Sequence, residues 1–261
     1  MIQTGIVYCY GVQVVKEVCM KILVTSLTDH RIDVQLAEWM LAGLSMNNIS
    51  CTSDIMDIHC THCIMFNGLS TKDSIARLQR IGSRMPIYYM YDDCDMPVPH
   101  GVTAVVSQFT NTGDFYFPIA ELAVLHTLWD KPLKNNKIFE LFYGGTFKSV
   151  RDYSMIPNDA HTLLVGNDTG WDTWTKATRL CTLKDMKAVY YAMSMCKATM
   201  IVSDHRHDNV NMPLRAFEGV FADCPVIWRD GTYIYPEAMK LLYTKERTLR
   251  LIKELVWNII Q

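Results

Sequence analysis

The sequence lacks an excess of charge of one sign, a long hydrophobic run and a regular cysteine framework. Its 25 Lys and Arg residues nearly balance 27 Asp and Glu residues in a chain of 261, which excludes a wholly basic, histone-like DNA-binding protein. Apolar stretches such as 64–66 and 225–228 fall far short of the ~18 residues that a membrane span needs. The nine cysteines are odd in number and irregularly spaced, so we expect free thiols in a reducing cytoplasm.

Residues 1–19 precede the first strong strand pattern of the sequence, which begins at Met20. The only charged residues of this segment, Lys16 and Glu17, follow its apolar run, whereas the charges of a signal peptide precede it. We therefore predict that Met20 is the natural start and that residues 1–19 are either a translated leader or a disordered extension.

From Met20 onward, short apolar runs alternate with amphipathic stretches, which is typical of parallel sheets covered by helices. A polar stretch without periodicity, 129–137, separates two such alternations. We predict an α/β fold of two Rossmann-like domains that face each other across a cleft: an N-terminal domain over 20–129 and a C-terminal domain over 138–261 that ends in a helix. The predicted strands are 22–27, 63–67, 86–91, 102–107, 138–143, 161–166, 198–203 and 225–228, and the predicted helices are 33–46, 71–83 (with Ile75, Leu78 and Ile81 inward), 119–128, 183–196, 214–222 and 240–260.

Ligands of such sheets bind at the carboxyl ends of the strands, which directs attention to the loop after Tyr143. Two glycines, Gly144 and Gly145, permit close backbone approach there, and Thr146, Lys148 and Arg151 follow them. Backbone amides, a hydroxyl and two cations are groups that hold a diphosphate. A glycine pair after a strand is more often a simple turn, and the loop lacks the Gly-Lys-Ser/Thr ending of a Walker sequence.

Arg215 and Glu218 lie three positions apart on a predicted helix, just before the predicted strand 225–228. That spacing puts both side chains on one helix face, where the arginine is suited to a phosphate and the glutamate to ribose hydroxyls. An ordinary helical ion pair is the alternative. Together with the glycine loop, the pair favours a nucleotide-sugar site.

Four collinear segments resemble the T-even phage DNA β-glucosyltransferase family: 87–97, 115–119, 143–151, and 214–218 with the strand beyond it. The resemblance implies a glycosyltransferase B-type fold and an inverting transfer of a sugar, typically glucose from UDP-glucose. The acceptor that it implies is the hydroxymethyl group of a modified pyrimidine, hydroxymethylcytosine or hydroxymethyluracil, in double-stranded DNA. Such an enzyme acts in the cytoplasm of the infected bacterium and protects phage DNA from restriction.

The resemblance also assigns roles to residues of this chain. The catalytic base falls on Asp93, where Asp92 and Asp95 would raise its affinity for a proton, although a solvated acidic turn is the alternative. The family has an arginine where this chain has Lys148, and its loop is one residue longer before the second arginine, so a weaker grip on the diphosphate is expected. The donor-binding residues are Gly145, Thr146, Lys148, Arg151 and Arg215 around the phosphates and Glu218 at the ribose.

Three segments carry possible metal ligands: 59–63, with a Cys-x-x-Cys and two histidines, 92–95 and 204–208. No second cysteine pair stands at zinc-ribbon spacing, and we interpret the other two segments as a catalytic turn and a polar loop. We predict no bound metal and no required cofactor, with magnesium at most speeding the release of UDP.

A DNA-binding face is compatible with the net charge of −2, because only one face needs to be basic. Lys72, Arg77, Arg80 and Arg84, in and just after one predicted helix, are our candidates for it, although clusters of this size are common on any surface. We predict a monomer with no membrane contact. Two other functions remain open: a B-type glycosyltransferase with a small-molecule or glycan acceptor, and a nucleotide-sugar-binding module without turnover.

Overall fold

The computed structural model describes residues 3–9, 12–18, 20–27, 31–66, 72–91, 98–109, 112–145, 147, 149, 151–166, 169–181, 183, 185–202 and 212–261. Contacts along the chain divide it into two units. The first unit comprises Met1–Ile119 together with Leu249–Gln261, and the second comprises Ala120–Thr248. Among the described residues, no helix has both the length and the apolar character that a membrane span requires.

The first described residues form a β-hairpin. Strands β1 (Gln3–Cys9) and β2 (Val12–Val18) pair antiparallel, with Gln3 opposite Val18 and Cys9 opposite Val12. The β-branched residues of both segments favour strands. The described residues of this segment thus form a hairpin, while its assignment as a translated leader or a disordered extension stays a prediction.

The first unit contains a six-stranded sheet in which every neighbouring pair is parallel. Its interior strands are mostly buried, as Ile22, Leu23 and Val24 show, because helices cover parallel sheets on both faces. The order of its strands is β4-β3-β5-β6-β7-β8. The elements are β3 (Ile22–Ser26), α1 (Arg31–Met46), β4 (Cys51–Thr52), β5 (His62–Phe66), α2 (Lys72–Gly82), β6 (Ile87–Tyr91), β7 (Ala104–Ser107) and β8 (Phe115–Tyr116).

The second unit repeats this plan with the order β11-β10-β9-β12-β13-β14, parallel throughout except for the last pair. Two 3₁₀ helices, Ile119–Leu125 and Thr169–Thr173, accompany it. The elements are α3 (Thr127–Asp130), β9 (Phe139–Gly144), β10 (Thr162–Val165), β11 (Thr178–Leu180), α4 (Met186–Ser194), β12 (Cys196–Met200), α5 (Leu214–Phe221), β13 (Val226–Ile227), β14 (Tyr233–Ile234), α6 (Pro236–Leu242) and α7 (Lys245–Ile260). The α/β class predicted from the sequence is confirmed.

The division of the chain differs from the predicted one in two places. The polar stretch 129–137 lies inside the second unit, because its polar groups form hydrogen bonds with other parts of that unit. The amide of Leu133 donates to the carbonyl of Phe221, and the Lys137 ammonium donates to carbonyls at the ends of α4 and α5. Most of α7, from Leu249 onward, belongs to the first unit, where the hydroxyl of Tyr88 donates to the carbonyl of Ile259.

Three predicted helices also differ from the structure. The segment 119–128 is a 3₁₀ helix followed by the short α3, and 240–260 is two helices separated at Thr244, whose hydroxyl accepts the amide of Arg247 at the start of α7. In α2, Leu78 and Ile81 are buried as predicted, but Ile75 is 45% exposed because it lies on the solvent face.

The strand order places one crevice in each sheet. In the second unit the chain runs from β9 outward to β10 and β11 and then returns to β12 on the other side of β9. Such a reversal leaves an opening between the carboxyl ends of the two central strands, which is where α/β sheets bind ligands. In the first unit the corresponding point lies between β3 and β5.

Candidate functional site

The glycine turn, Gly144 and Gly145, stands at the carboxyl end of β9, at the reversal point of the second sheet. Gly145 has a φ of 152°, which residues with a side chain rarely adopt. Its amide donates to the carbonyl of Val165 at 3.1 Å. A Cβ on Gly166 would lie 2.9 Å from the carbonyl oxygen of Gly145, so the two backbones approach each other as only glycine permits.

Arg215 extends from the first turn of α5 to this turn. Its Nη2 donates to the carbonyl of Gly144 at 2.9 Å, and its guanidinium carbon lies 5.7 Å from the centre of the Phe142 ring. Its Nη1 is buried and has no hydrogen-bond partner in the part of the chain that the structure describes. A buried guanidinium N–H without an acceptor is costly, and a ligand oxygen would remove that cost.

Glu218 lies one helical turn further along the same face of α5. One of its carboxylate oxygens is 3.3 Å from Nη1 of Arg215, a distance without hydrogen-bond geometry, and the residue is only 4% exposed. A buried carboxylate offers acceptors only, and the adjacent arginine compensates its charge. The sequence prediction that the two side chains share one face of the helix is therefore correct, and Arg215 reaches the end of β9.

Arg151 contacts the side chain of Tyr143, a residue of β9 that directly precedes the glycine turn. Its Nη1 donates to the hydroxyl of Tyr143 at 3.3 Å. Burial raises the pKa of Tyr143, and the positive charges of Arg151 and Arg215 oppose that shift. The structure thus brings together four of the predicted donor-binding residues, Gly145, Arg151, Arg215 and Glu218, while Thr146 and Lys148 lie outside the described residues.

The chain matches no protein-family model, and no curated protein matches it in sequence. Solved structures do match. A structure of the DNA-modifying enzyme β-glucosyltransferase, determined in the presence and absence of its substrate uridine diphosphoglucose, has a TM-score of 0.66 and 16% identity over 90% of this chain and 88% of that chain. Structures of T4 phage β-glucosyltransferase with UDP-glucose (TM-score 0.66, 14% identity) and with UDP and Mn²⁺ (TM-score 0.64, 16% identity) each cover 90% of this chain and 89% of theirs.

The chain has the fold of β-glucosyltransferase. The likeness extends over both units and confirms the glycosyltransferase B-type fold that the four collinear segments implied. At 14–16% identity it establishes the fold, and the chemistry has to be argued from the residues of this chain.

The predicted base, Asp93, follows strand β6 of the first unit. Tyr91 is the last residue of that strand, and 92–97 lie outside the described residues. The role of Asp93 stays a prediction. The register of β6 with β5 and β7 does fix where the strand ends, because Met90 pairs with Phe66 and Tyr91 with Ser107 at the carboxyl edge of the sheet.

Two of the predicted DNA-binding residues, Arg77 and Arg84, donate to backbone carbonyls, and the role of all four in DNA binding stays a prediction. Arg77 donates to the carbonyl of Ser26, at the carboxyl end of β3, whereas Arg84 donates to the carbonyl of Ile55, in the connection that leads to β5. Arg80 is exposed, and its guanidinium makes no hydrogen bond within the described part of the chain. Lys72 is the first residue of α2, but its side chain lies outside the description.

The described residues contain no group of three side chains that could hold a metal ion. Within 59–63, the Cys63 thiol is fully buried in β5, and burial raises its pKa. The segments 92–95 and 204–208 lie wholly outside the described residues, so the absence of a bound metal stays a prediction.

The sequence analysis missed one residue of the site, Trp171. Its indole Nε1 donates to the carbonyl of Gly145 at 3.2 Å, across 26 positions of sequence. A tryptophan after a predicted strand carries no local sign of such a contact, and only the pairing of β9 with β10 brings the two residues together.

Proposed function

We propose that the protein is a glycosyltransferase that uses a UDP-sugar as donor. The observation that carries the proposal is the combination at the end of β9. It consists of the buried Nη1 of Arg215, which makes no hydrogen bond within the described residues, the buried carboxylate of Glu218, and a glycine turn at the reversal point of the sheet. Arg215 donates to the diphosphate, and Glu218 accepts hydrogen bonds from the ribose hydroxyls.

We infer that the donor is UDP-glucose. The similar solved structures support this choice, because they contain UDP-glucose or UDP in the same fold. Lys148 and Arg151 would add positive charge beside the phosphates. These fixed cations stabilise the negative charge that develops on UDP as it leaves.

The proposed acceptor is the hydroxymethyl group of hydroxymethylcytosine or hydroxymethyluracil in double-stranded DNA. Asp93 takes the hydroxyl proton while the hydroxyl oxygen bonds to the anomeric carbon of glucose, and the bond from that carbon to the UDP oxygen breaks with inversion. The hydroxymethyl group lies in the major groove of the duplex. Flipping the modified nucleotide out of the base stack is the simplest way to bring this group to the carboxylate of Asp93.

No metal ion is needed in this mechanism, although one similar structure contains Mn²⁺ beside UDP. A divalent ion would help UDP to depart by neutralising its phosphates. The proposal further places the protein, as a monomer, in the cytoplasm of a phage-infected bacterium, where glucosylation protects phage DNA from restriction.

One experiment tests donor and acceptor together. The protein is incubated with UDP-glucose and duplex DNA that carries hydroxymethylcytosine, hydroxymethyluracil or neither, and the DNA is digested to nucleosides for mass analysis. Glucosylated nucleosides are expected from the hydroxymethylated duplexes only. Binding of UDP without any transfer to DNA would instead indicate a glycan or small-molecule acceptor, or a binding module without turnover.

A further inference from the structure

Trp171 holds the carbonyl of Gly145 through the indole hydrogen bond of 3.2 Å. The residue is 1% exposed and belongs to the 3₁₀ helix after β10. A buried indole N–H is costly to leave without an acceptor, so the bond ties the glycine turn to the core.

The ring that provides this N–H is itself fixed by other aromatic side chains. Its centroid lies 5.0–5.3 Å from those of its ring neighbours, at tilted or edge-to-face angles typical of well-packed aromatic rings. The neighbours are Tyr143, Phe147, Tyr153 and Trp174. The donor atom therefore has a single position, set by the core of the second unit.

Gly145 is constrained from three directions. Its carbonyl accepts from Trp171, its amide donates to the carbonyl of Val165, and a Cβ on Gly166 would lie 2.9 Å from the same carbonyl oxygen of Gly145. The amide and the carbonyl belong to the two peptide groups on either side of the Gly145 Cα, and each group is planar. The core therefore holds the backbone of the turn in one orientation at Gly145.

We propose that Trp171 is a positioning residue for the diphosphate of the UDP-sugar, acting through the peptide unit of Gly145. This inference rests on the proposed function. The indole N–H does not touch the donor; it holds the Gly145 carbonyl against the core and so keeps the backbone of the glycine turn in one orientation beneath the phosphates. Loss of the N–H allows the turn to adopt other orientations. Because UDP binds only one of these orientations, its apparent affinity falls with the fraction of protein that is in it.

The test compares Trp171→Phe with Trp174→Phe. Trp174 lies in the same aromatic cluster, and its Nε1 donates to the carbonyl of Ile156 at 3.2 Å, so its substitution removes the same kind of bond away from the turn. UDP affinity is measured by calorimetry and uridine affinity by ligand-detected NMR. We expect Trp171→Phe to weaken UDP binding by about fivefold or more and to leave uridine binding unchanged, because uridine has no phosphate. Trp174→Phe should leave both affinities unchanged.

Equal UDP affinities for the two variants would overturn the inference, as would an equal loss of UDP and uridine binding in Trp171→Phe. A wild-type protein that binds no UDP would overturn the proposed function, and this inference with it. If Trp171→Phe does not fold, Gly166→Ala provides the test instead, because the added Cβ would lie 2.9 Å from the carbonyl oxygen of Gly145. A selective loss of UDP binding in that variant supports the role of the Gly145 carbonyl, and an unchanged affinity refutes it.

Discussion

At the scale of single residues, Arg215 combines a structural contact with a nitrogen that makes no hydrogen bond within the described residues. Its Nη2 donates to the end of β9, whereas its buried Nη1 lies near the carboxylate of Glu218 without hydrogen-bond geometry. A guanidinium held at one edge presents its remaining N–H groups in a fixed direction, which a lysine at the same place would not do. Under the proposed function, the residue is therefore already oriented for a phosphate before the donor binds.

The first prediction separates Arg215 from Glu218. Arg215→Ala should weaken UDP binding by about 1.5–3 kcal/mol, the value of a charged hydrogen bond, with a smaller effect on uridine. Glu218→Gln should weaken UDP and uridine alike, because the carboxylate is assigned to the ribose. Calorimetry provides the values, and Arg179→Ala, an exposed arginine paired with Asp172 in the same unit, is the control. Unchanged UDP affinity in both site variants would refute the donor site.

The second prediction concerns the base. Asp93→Asn should abolish sugar transfer and leave UDP affinity nearly unchanged, because a neutral amide cannot take the acceptor proton. Asp95→Asn, two positions away, should reduce turnover far less. Turnover on hydroxymethylated duplex and UDP affinity are measured for both variants. Wild-type turnover in Asp93→Asn would remove Asp93 from the mechanism.

At the scale of elements, strands that are buried on both faces were predictable, because their apolar runs are continuous. Strands β3, β5, β6, β9 and β10 agree with the predicted ranges within one or two residues. The short edge strands β4, β8 and β14 have two residues each, too few for any periodicity, and exist because a longer neighbour pairs with them.

The candidate site was likewise predictable from the sequence only in part. Spacing along one helix predicted that Arg215 and Glu218 share a face, and the fold confirms it. The order of strands around β9 could not be read from local patterns, and neither could the contact of Trp171 with Gly145 that depends on it. Residues whose role depends on distant parts of the chain were therefore the ones missed.

The third prediction tests how closely α5 packs on its sheet. A Cβ at Gly219 would lie 2.5 Å from a methyl of Val226 and 2.8 Å from the carbonyl oxygen of Cys224. Gly219→Ala should therefore lower the free energy of unfolding by about 1–3 kcal/mol, although alanine is ordinarily favoured in helices. Gly82→Ala is the matched control, because its Cβ would meet no atom closer than 3.5 Å. Equal unfolding midpoints in urea for the two variants would contradict this close packing.

At the scale of the whole molecule, a net charge of −2 means that the proposed DNA binding would have to depend on a few local cations. Arg80 is the clearest of the described candidates, since its guanidinium is not engaged within the described residues, whereas Arg77 and Arg84 hold backbone carbonyls. Substitution of a residue without a structural contact is expected to lower the affinity of the protein for DNA and to leave its free energy of unfolding unchanged.

The fourth prediction follows from this difference. Arg80→Ala should bind hydroxymethylated duplex more weakly, and the slope of log affinity against log salt should become shallower by about 0.9 for one lost phosphate contact. Lys253→Ala, an exposed lysine on α7 in the same unit, should leave the slope unchanged. Fluorescence anisotropy over a series of NaCl concentrations measures both. Identical slopes for the two variants would remove Arg80 from the DNA-binding face.

The last prediction concerns the metal requirement and the acceptor specificity of the proposed transfer. In the proposed mechanism, fixed cations and backbone amides stabilise the departing UDP, so transfer to hydroxymethylated duplex should survive EDTA. Added magnesium should raise turnover by no more than several-fold, because it assists only the release of UDP. Unmodified duplex offers no hydroxymethyl oxygen for Asp93 to activate and should accept no sugar in either condition.

Turnover on the three duplexes, with EDTA and with added Mg²⁺ or Mn²⁺, decides between this mechanism and a metal-dependent one. An EDTA-treated protein that is wholly inactive on hydroxymethylated duplex and recovers with Mn²⁺ would mean that the carboxylates of 92–95 bind a divalent ion. Asp93 would then be a ligand, since a carboxylate bound to a cation is a poor base. The similar structure that contains UDP and Mn²⁺ makes this comparison the most informative single assay of the site.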